Sequence, residues 1–124
     1  MAGTSSRDLL LGRFGGGEPR TVRTSQTLFR EGDAGDAAFV VLEGELEITI
    51  RGITMERVGP GGIVGEMAFV DSSPRAASVS ATADSKVVEI PAARFDEIVR
   101  RAPEFARVLL SIVAERLRKM NRYL

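Results

Sequence analysis

"AAFVVLEGELEITIRG", residues 37–52, decides the fold. Its first fourteen residues carry the strongest strand signal in the chain, with β-branched and aromatic side chains on either side of Gly44. In Leu46-Glu47-Ile48-Thr49-Ile50 apolar and polar residues alternate strictly, which predicts a strand with one face buried and the other wet. Arg51-Gly52 then reads as a tight hairpin, so the chain turns straight back on itself. The same texture continues on both sides. "TLFREGD" (27–33) ends in a turn, "ITMERVGPGG" (53–62) runs into another, and "SKVVEI" (85–90) is one more strand. Many short strands with glycine-rich turns between Pro19 and Pro91 argue for a sandwich or barrel.

The flanks are helical in pattern. In residues 1–18, Ser5 or Ser6 could cap a short helix carrying Leu9, Leu10 and Leu11, and the glycines at 15–17 make a flexible joint. Beyond Pro91, "AARFDEIVRRA" (92–102) predicts an amphipathic helix that Pro103 interrupts. Residues 103–124 form a second, with proline favourably in its first turn. Phe105, Leu109, Ile112 and Met120 fall on one face of that helix, and so does Arg116. An arginine on an apolar stripe either snorkels to water or has a partner. The expected organisation is an N-terminal helix and joint (1–18) followed by one domain (19–124), its β part at 19–91 and its helices at 92–124.

Composition narrows the chemistry. The 124 residues hold 17 basic and 17 acidic side chains, so no overall field draws the chain to nucleic acid or to an anionic membrane. There is no cysteine and no histidine, which excludes disulfides, thiolate chemistry, the commonest soft metal sites and a histidine-based triad. No residue is placed as nucleophile or base, so neither catalysis nor a metal is expected. The apolar runs are far shorter than the roughly 20 residues that span a bilayer, and the N-terminus lacks a signal-peptide pattern, so a cytoplasmic protein is the expectation.

A second stretch carries the chemistry. "GEMAFVDSSPRAASVSA" spans residues 65–81 and places one carboxylate after a glycine and one arginine after a proline among small residues. Residues 65–70 could make a short helical turn after "GPGGIV". Glu66 only accepts hydrogen bonds, which suits a ligand hydroxyl. Pro74 fixes the backbone before Arg75, whose guanidinium can grip a phosphate in two-point fashion, and Ala76 and Ala77 let a ligand approach the backbone. One phosphate and one hydroxyl imply a phosphorylated sugar. On the residues alone, a surface ion pair between Glu66 and Arg75 is the competing reading.

This run resembles the phosphate-binding cassette of cyclic nucleotide-binding domains: Gly-Glu-aliphatic-Ala, a short loop, then Pro-Arg-small-Ala-Ser/Thr-aliphatic-x-Ala. Upstream, "LFREGDAGDAAFVVLEGELEI" (28–48) is similar to the family's earlier signature. Ser25-Gln26 departs from it, in a turn. The resemblance covers residues 20–124 and implies an eight-stranded antiparallel β-roll of jelly-roll type with a short N-terminal helix and C-terminal helices. It gives Glu66 the ribose 2′-hydroxyl with help from the Gly65 N–H, and sets Met67 beside them. It gives Arg75 the cyclic phosphate together with the N–H groups of Ala76 and Ala77. Ser78 would face either ligand or a neighbouring carbonyl, and Ile48 and Val64 would line the base and sugar pocket or simply fill the core. Arg116 would be the contact of a lid helix with the purine. Family members that favour guanine often carry threonine where this chain has Ala76, which implies that cyclic AMP binds at least as well as cyclic GMP. The function implied is that of a receptor or regulatory module whose ligand moves the C-terminal helix. No cofactor is implied, and the output would pass to a partner protein or to an effector domain linked in a longer chain. The alternative is a degenerate β-roll that serves as an interaction or dimerisation scaffold.

Overall fold

A computed structural model describes residues 18–121. The helix expected within residues 1–18 and the last residues of the second C-terminal helix lie outside it. Eight short strands follow in order: β1 (Arg20–Val22), β2 (Thr27–Phe29), β3 (Ala37–Glu43), β4 (Leu46–Ile50), β5 (Ile53–Val58), β6 (Ile63–Val64), β7 (Ser78–Ala81) and β8 (Ser85–Pro91). They form two four-stranded antiparallel sheets, one in the order β1-β8-β3-β6 and the other β2-β7-β4-β5. A 3-10 turn at Glu66–Phe69 separates β6 from β7, and a second at Ala92–Arg94 leads into α1 (Phe95–Arg101) and α2 (Pro103–Asn121). The eight-stranded β-roll expected from the sequence is the observed fold.

Why these residues fold this way is clearest at β3. All six residues from Ala37 to Leu42 are buried, because the sheet containing β3 is covered on both faces. Phe39 and Val41 point between the two sheets, where they pack with Leu46, Val58, Val64, Val79 and Val87. Ala38, Val40 and Leu42 point the other way, into a second core with Val88 and Ile90 of β8 and with Ile98, Ala102 and Phe105 of the helices. The alternation of side chains along a strand thus feeds two cores from one sequence. The molecule is a stack of sheet, sheet and helices.

The turns follow from local chemistry. Arg51 and Gly52 have φ of 52° and 79°, the two left-handed residues of a type I′ hairpin, and Ile50 pairs with Ile53 across it. Pro103 opens α2 in its first turn, where its missing N–H costs nothing. Along β4 the alternation is softer than the sequence predicts: only Leu46 is fully buried, and the rest of the strand is half-exposed. Ile48 still packs toward the inter-sheet core.

Candidate functional site

The site is assembled by the loop from β6 to β7, which is tied at its arginine. Arg75 donates its N–H to the Asp33 carbonyl at 2.8 Å and accepts at its own carbonyl from the Gly32 N–H at 2.9 Å, so the turn after β2 holds the loop at both sides of one residue. The guanidinium folds inward. Its Nη2 donates to the Ala37 carbonyl at 2.7 Å and its Nη1 to the Gly65 carbonyl at 3.3 Å. Its carbon stands 4.1 Å from the centre of the Phe29 ring and 6.0 Å from that of Phe39.

Two glycines make this seat possible. A Cβ on Gly35 would come within 2.5 Å of Arg75 Nε, and one on Gly65, whose φ is +73°, would come within 2.7 Å of Nη1. Any other residue at either place would push the guanidinium out. Nε itself is buried with no hydrogen-bond partner, the one such side-chain atom among the described residues. Burial draws the Arg75 pKa below its usual value, against the pull of Asp36, Asp33, Glu89 and Glu66. A partly desolvated cation with a spare donor is a place for an anion.

Arg75 and Glu66 line a single cavity of about 310 Å³. Gly65, Met67, Ala76, Ala77 and Arg116 line it too, and Phe29, Ile48, Ile50 and Val79 supply apolar wall. The structure therefore brings together eight of the ten residues expected from the sequence, namely Ile48, Gly65, Glu66, Met67, Arg75, Ala76, Ala77 and Arg116. Val64 and Ser78 stand apart from it. Val64 is wholly buried between the sheets. The Ser78 hydroxyl accepts from the Glu31 N–H at 3.0 Å, a backbone donor in place of the expected ligand or carbonyl.

Arg116 does not snorkel. It lies on the face of α2 that also carries Phe105, Leu109 and Ile112, all packed on the helix-side core. Its Nη1 donates to Glu66 Oε1 at 2.5 Å, its Nε to Glu56 Oε1 at 3.1 Å and its Nη2 to the Ile63 carbonyl. The three side chains are nearly enclosed, with 14% of Arg116, 14% of Glu66 and 18% of Glu56 exposed. Burial alone would lower the Arg116 pKa, but Glu66 and Glu56 together outweigh it and raise it. The guanidinium is thus committed to two carboxylates and a carbonyl. Sequence reasoning named Arg116 and Glu66 separately but not their pairing, and it missed Glu56, Phe29 and Gly35 altogether. "ITMERV" holds nothing to mark its glutamate as different from any exposed one.

A cavity lined by Arg75, whose Nε has no partner, by Glu66 and by apolar wall can take a ligand that carries a single anionic group, a hydroxyl and a flat apolar part. Comparison with known proteins agrees. Residues 19–102 match the family described as the cyclic nucleotide-binding domain. The chain is 32% identical over 97 residues to a cyclic nucleotide-gated potassium channel of Mesorhizobium japonicum, covering 78% of this chain and 27% of that one. It is 35% identical over 79 residues to a cGMP-dependent protein kinase of Caenorhabditis briggsae, covering 64% of this chain and 10% of the kinase. Among solved structures, the catabolite activator protein of Thermus thermophilus superposes with a TM-score of 0.75 at 29% identity, over 86% of this chain and 52% of that one. The chain spans about half or less of each of these proteins. With its β-roll, its Arg75–Glu66 cavity and a match over most of its described length, this chain belongs to the cyclic nucleotide-binding domain family.

Proposed function

We propose that the chain is a receptor module for a 3′,5′-cyclic nucleotide, that it binds cyclic AMP at least as well as cyclic GMP, and that it regulates rather than catalyses. The observation that carries this reading is Arg75: a partly desolvated guanidinium with one buried donor unused, lining the same cavity as Glu66. The cyclic phosphate takes the arginine and the small-residue backbone of Ala76 and Ala77, the ribose hydroxyl takes Glu66, and the purine rests on Ile48, Ile50 and Val79. Ala76 presents no hydroxyl to a guanine amino group, which supports the preference for adenine.

Helix α2 is the output. Arg116 links it to the carboxylate that receives the ribose, so ligand and helix compete for or share one group, and a difference in affinity between two helix positions is what lets a ligand shift the helix. Leu110 and Leu117, a heptad apart on α2, are 69% and 57% exposed, and offer an apolar strip to a partner protein or linked effector domain. No described helix is long and apolar enough to cross a membrane. A cytoplasmic setting fits the ligand.

Calorimetric titration with cyclic AMP and cyclic GMP tests the reading. Arg75→Ala is expected to weaken binding by about 2–5 kcal/mol, thirtyfold or more, because the phosphate loses its charged partner. Unchanged affinity in that variant would remove the phosphate assignment, and no binding of either nucleotide to the unmodified chain would leave the scaffold reading in its place.

A further inference from the structure

We propose that Glu56 is a positioning residue that holds α2 against the roll through Arg116 when no ligand is bound. This deepens the reading above and rests on it for the place of the ligand, though not for the pairing itself.

Arg116 is a partition between two cavities. On one side lies the 310 Å³ cavity that holds Glu66 and Arg75 and that Glu56 does not reach. On the other, between β5, β6 and α2, lies a separate cavity of about 280 Å³ lined by Glu56, Val58 and Ile63 of the roll and by Ile112, Glu115, Arg116 and Lys119 of α2, which Glu66 does not reach. The two carboxylates that grip the arginine therefore answer to different surroundings. Glu66 faces the ligand, so a ribose hydroxyl can share or take its hydrogen-bonding capacity. Glu56 lines the other cavity, whose further charged groups, Glu115 and Lys119, belong to α2 itself, so nothing in the ligand can compete for it.

The consequence is a division of labour. The Arg116 Nη1 bond to Glu66 is exchangeable, while the Nε bond to Glu56 persists in either state. Glu56 stands on β5, whose pairing with β4 sets it opposite Ile48, so the helix is fastened to the rigid roll and not to the ligand loop alone. Low exposure makes the charge-assisted bond stronger than a surface pair of the same length. Removal of the charge on Glu56 leaves Arg116 fastened to α2's exchangeable partner and one backbone carbonyl.

Amide hydrogen exchange on the ligand-free chain tests this. In Glu56→Gln, which keeps the shape and loses the charge, amides of residues 104–121 are expected to exchange about tenfold faster, while those of β3 and β8 keep their rates. Arg116→Ala, which also loses the bonds to Glu66 and the Ile63 carbonyl, should accelerate exchange at least as much, and the double variant no more than Arg116→Ala alone, since Glu56 acts through Arg116. Glu56→Asp, which keeps the charge with a shorter reach, should fall between the unmodified chain and Glu56→Gln. Unchanged exchange in α2 of Glu56→Gln, equal acceleration throughout the roll, or independent additive effects of Glu56→Gln and Arg116→Ala would each overturn the proposal. Addition of cyclic AMP to the unmodified chain is the separate arm. Failure of bound ligand to alter α2 would defeat the reading of α2 as the output and leave the ligand-free comparison standing.

Discussion

Arg75 depends on what is absent beside it. Its guanidinium occupies space that a single methyl group on Gly35 would take, and a Gly35→Ala variant should therefore displace the guanidinium proposed to bind phosphate without touching it chemically. Affinity for cyclic AMP, read by calorimetry, is expected to fall about tenfold, some 1.4 kcal/mol, in that variant. Ala76→Thr adds a hydroxyl at the neighbouring position, and should shift the ratio of the two nucleotides toward cyclic GMP by about 1 kcal/mol in paired titrations. At this scale the sequence discloses the charged groups and conceals their supports. Glu66 and Arg75 stand in a dense local pattern, so they can be read in order along the chain. Phe29 and Gly35 reach Arg75 from β2 and the turn after it, and Glu56 meets Arg116 sixty residues on, so only the closure of the roll shows the ring, the missing Cβ and the second carboxylate beside their arginines.

At the scale of the elements, local chemistry predicts turns better than it predicts faces. The Arg51-Gly52 hairpin was legible because two residues leave no other way back, yet Arg51 pays for its φ of 52° with a side chain that disfavours it. Arg51→Asn should raise stability by about 0.5–1 kcal/mol in thermal or denaturant unfolding, since asparagine tolerates the left-handed region. Another turn is held by charge. Both the backbone N–H and the hydroxyl of Thr24 donate to Asp84, at 2.8 and 2.9 Å, and these bonds hold the Asp84 pKa below the ordinary carboxylate value. A carboxylate whose folded pKa is depressed stabilises the fold above its unfolded pKa, about 3.9, and that contribution is lost as pH falls through the folded value. Asp84→Asn should therefore be less stable than the unmodified chain at neutral pH, and the gap should close in acid when unfolding curves are collected across that range. The softer alternation of β4 has a different origin. Its Ile48 and Ile50 wall a cavity in place of a packed layer, so they stay half-exposed.

Across the whole molecule, three phenylalanines join the segment between β6 and β7 to the helices. Phe69, at the end of the 3-10 turn that begins with Glu66, stacks on Phe95 with centroids 5.0 Å apart and meets the edge of Phe105 at 6.2 Å. Phe105→Ala empties the centre of this group and should cost about 3–5 kcal/mol of stability in denaturant unfolding. The layering that surrounds it was only partly legible. The run Ala37–Leu42 announced a strand, but an apolar run does not say what covers its two faces, and here the second sheet covers one and the helices the other. That double cover has a further consequence for the denatured chain. Ala37 to Leu42 contains no charge, no proline and no glycine, so once heat strips away both neighbours the segment is free to stack with its counterpart in other chains. Thermal melts are expected to become irreversible at high protein concentration, with an apparent midpoint that moves with scan rate, and a lysine in place of Val41 would suppress the precipitate only by sacrificing the fold.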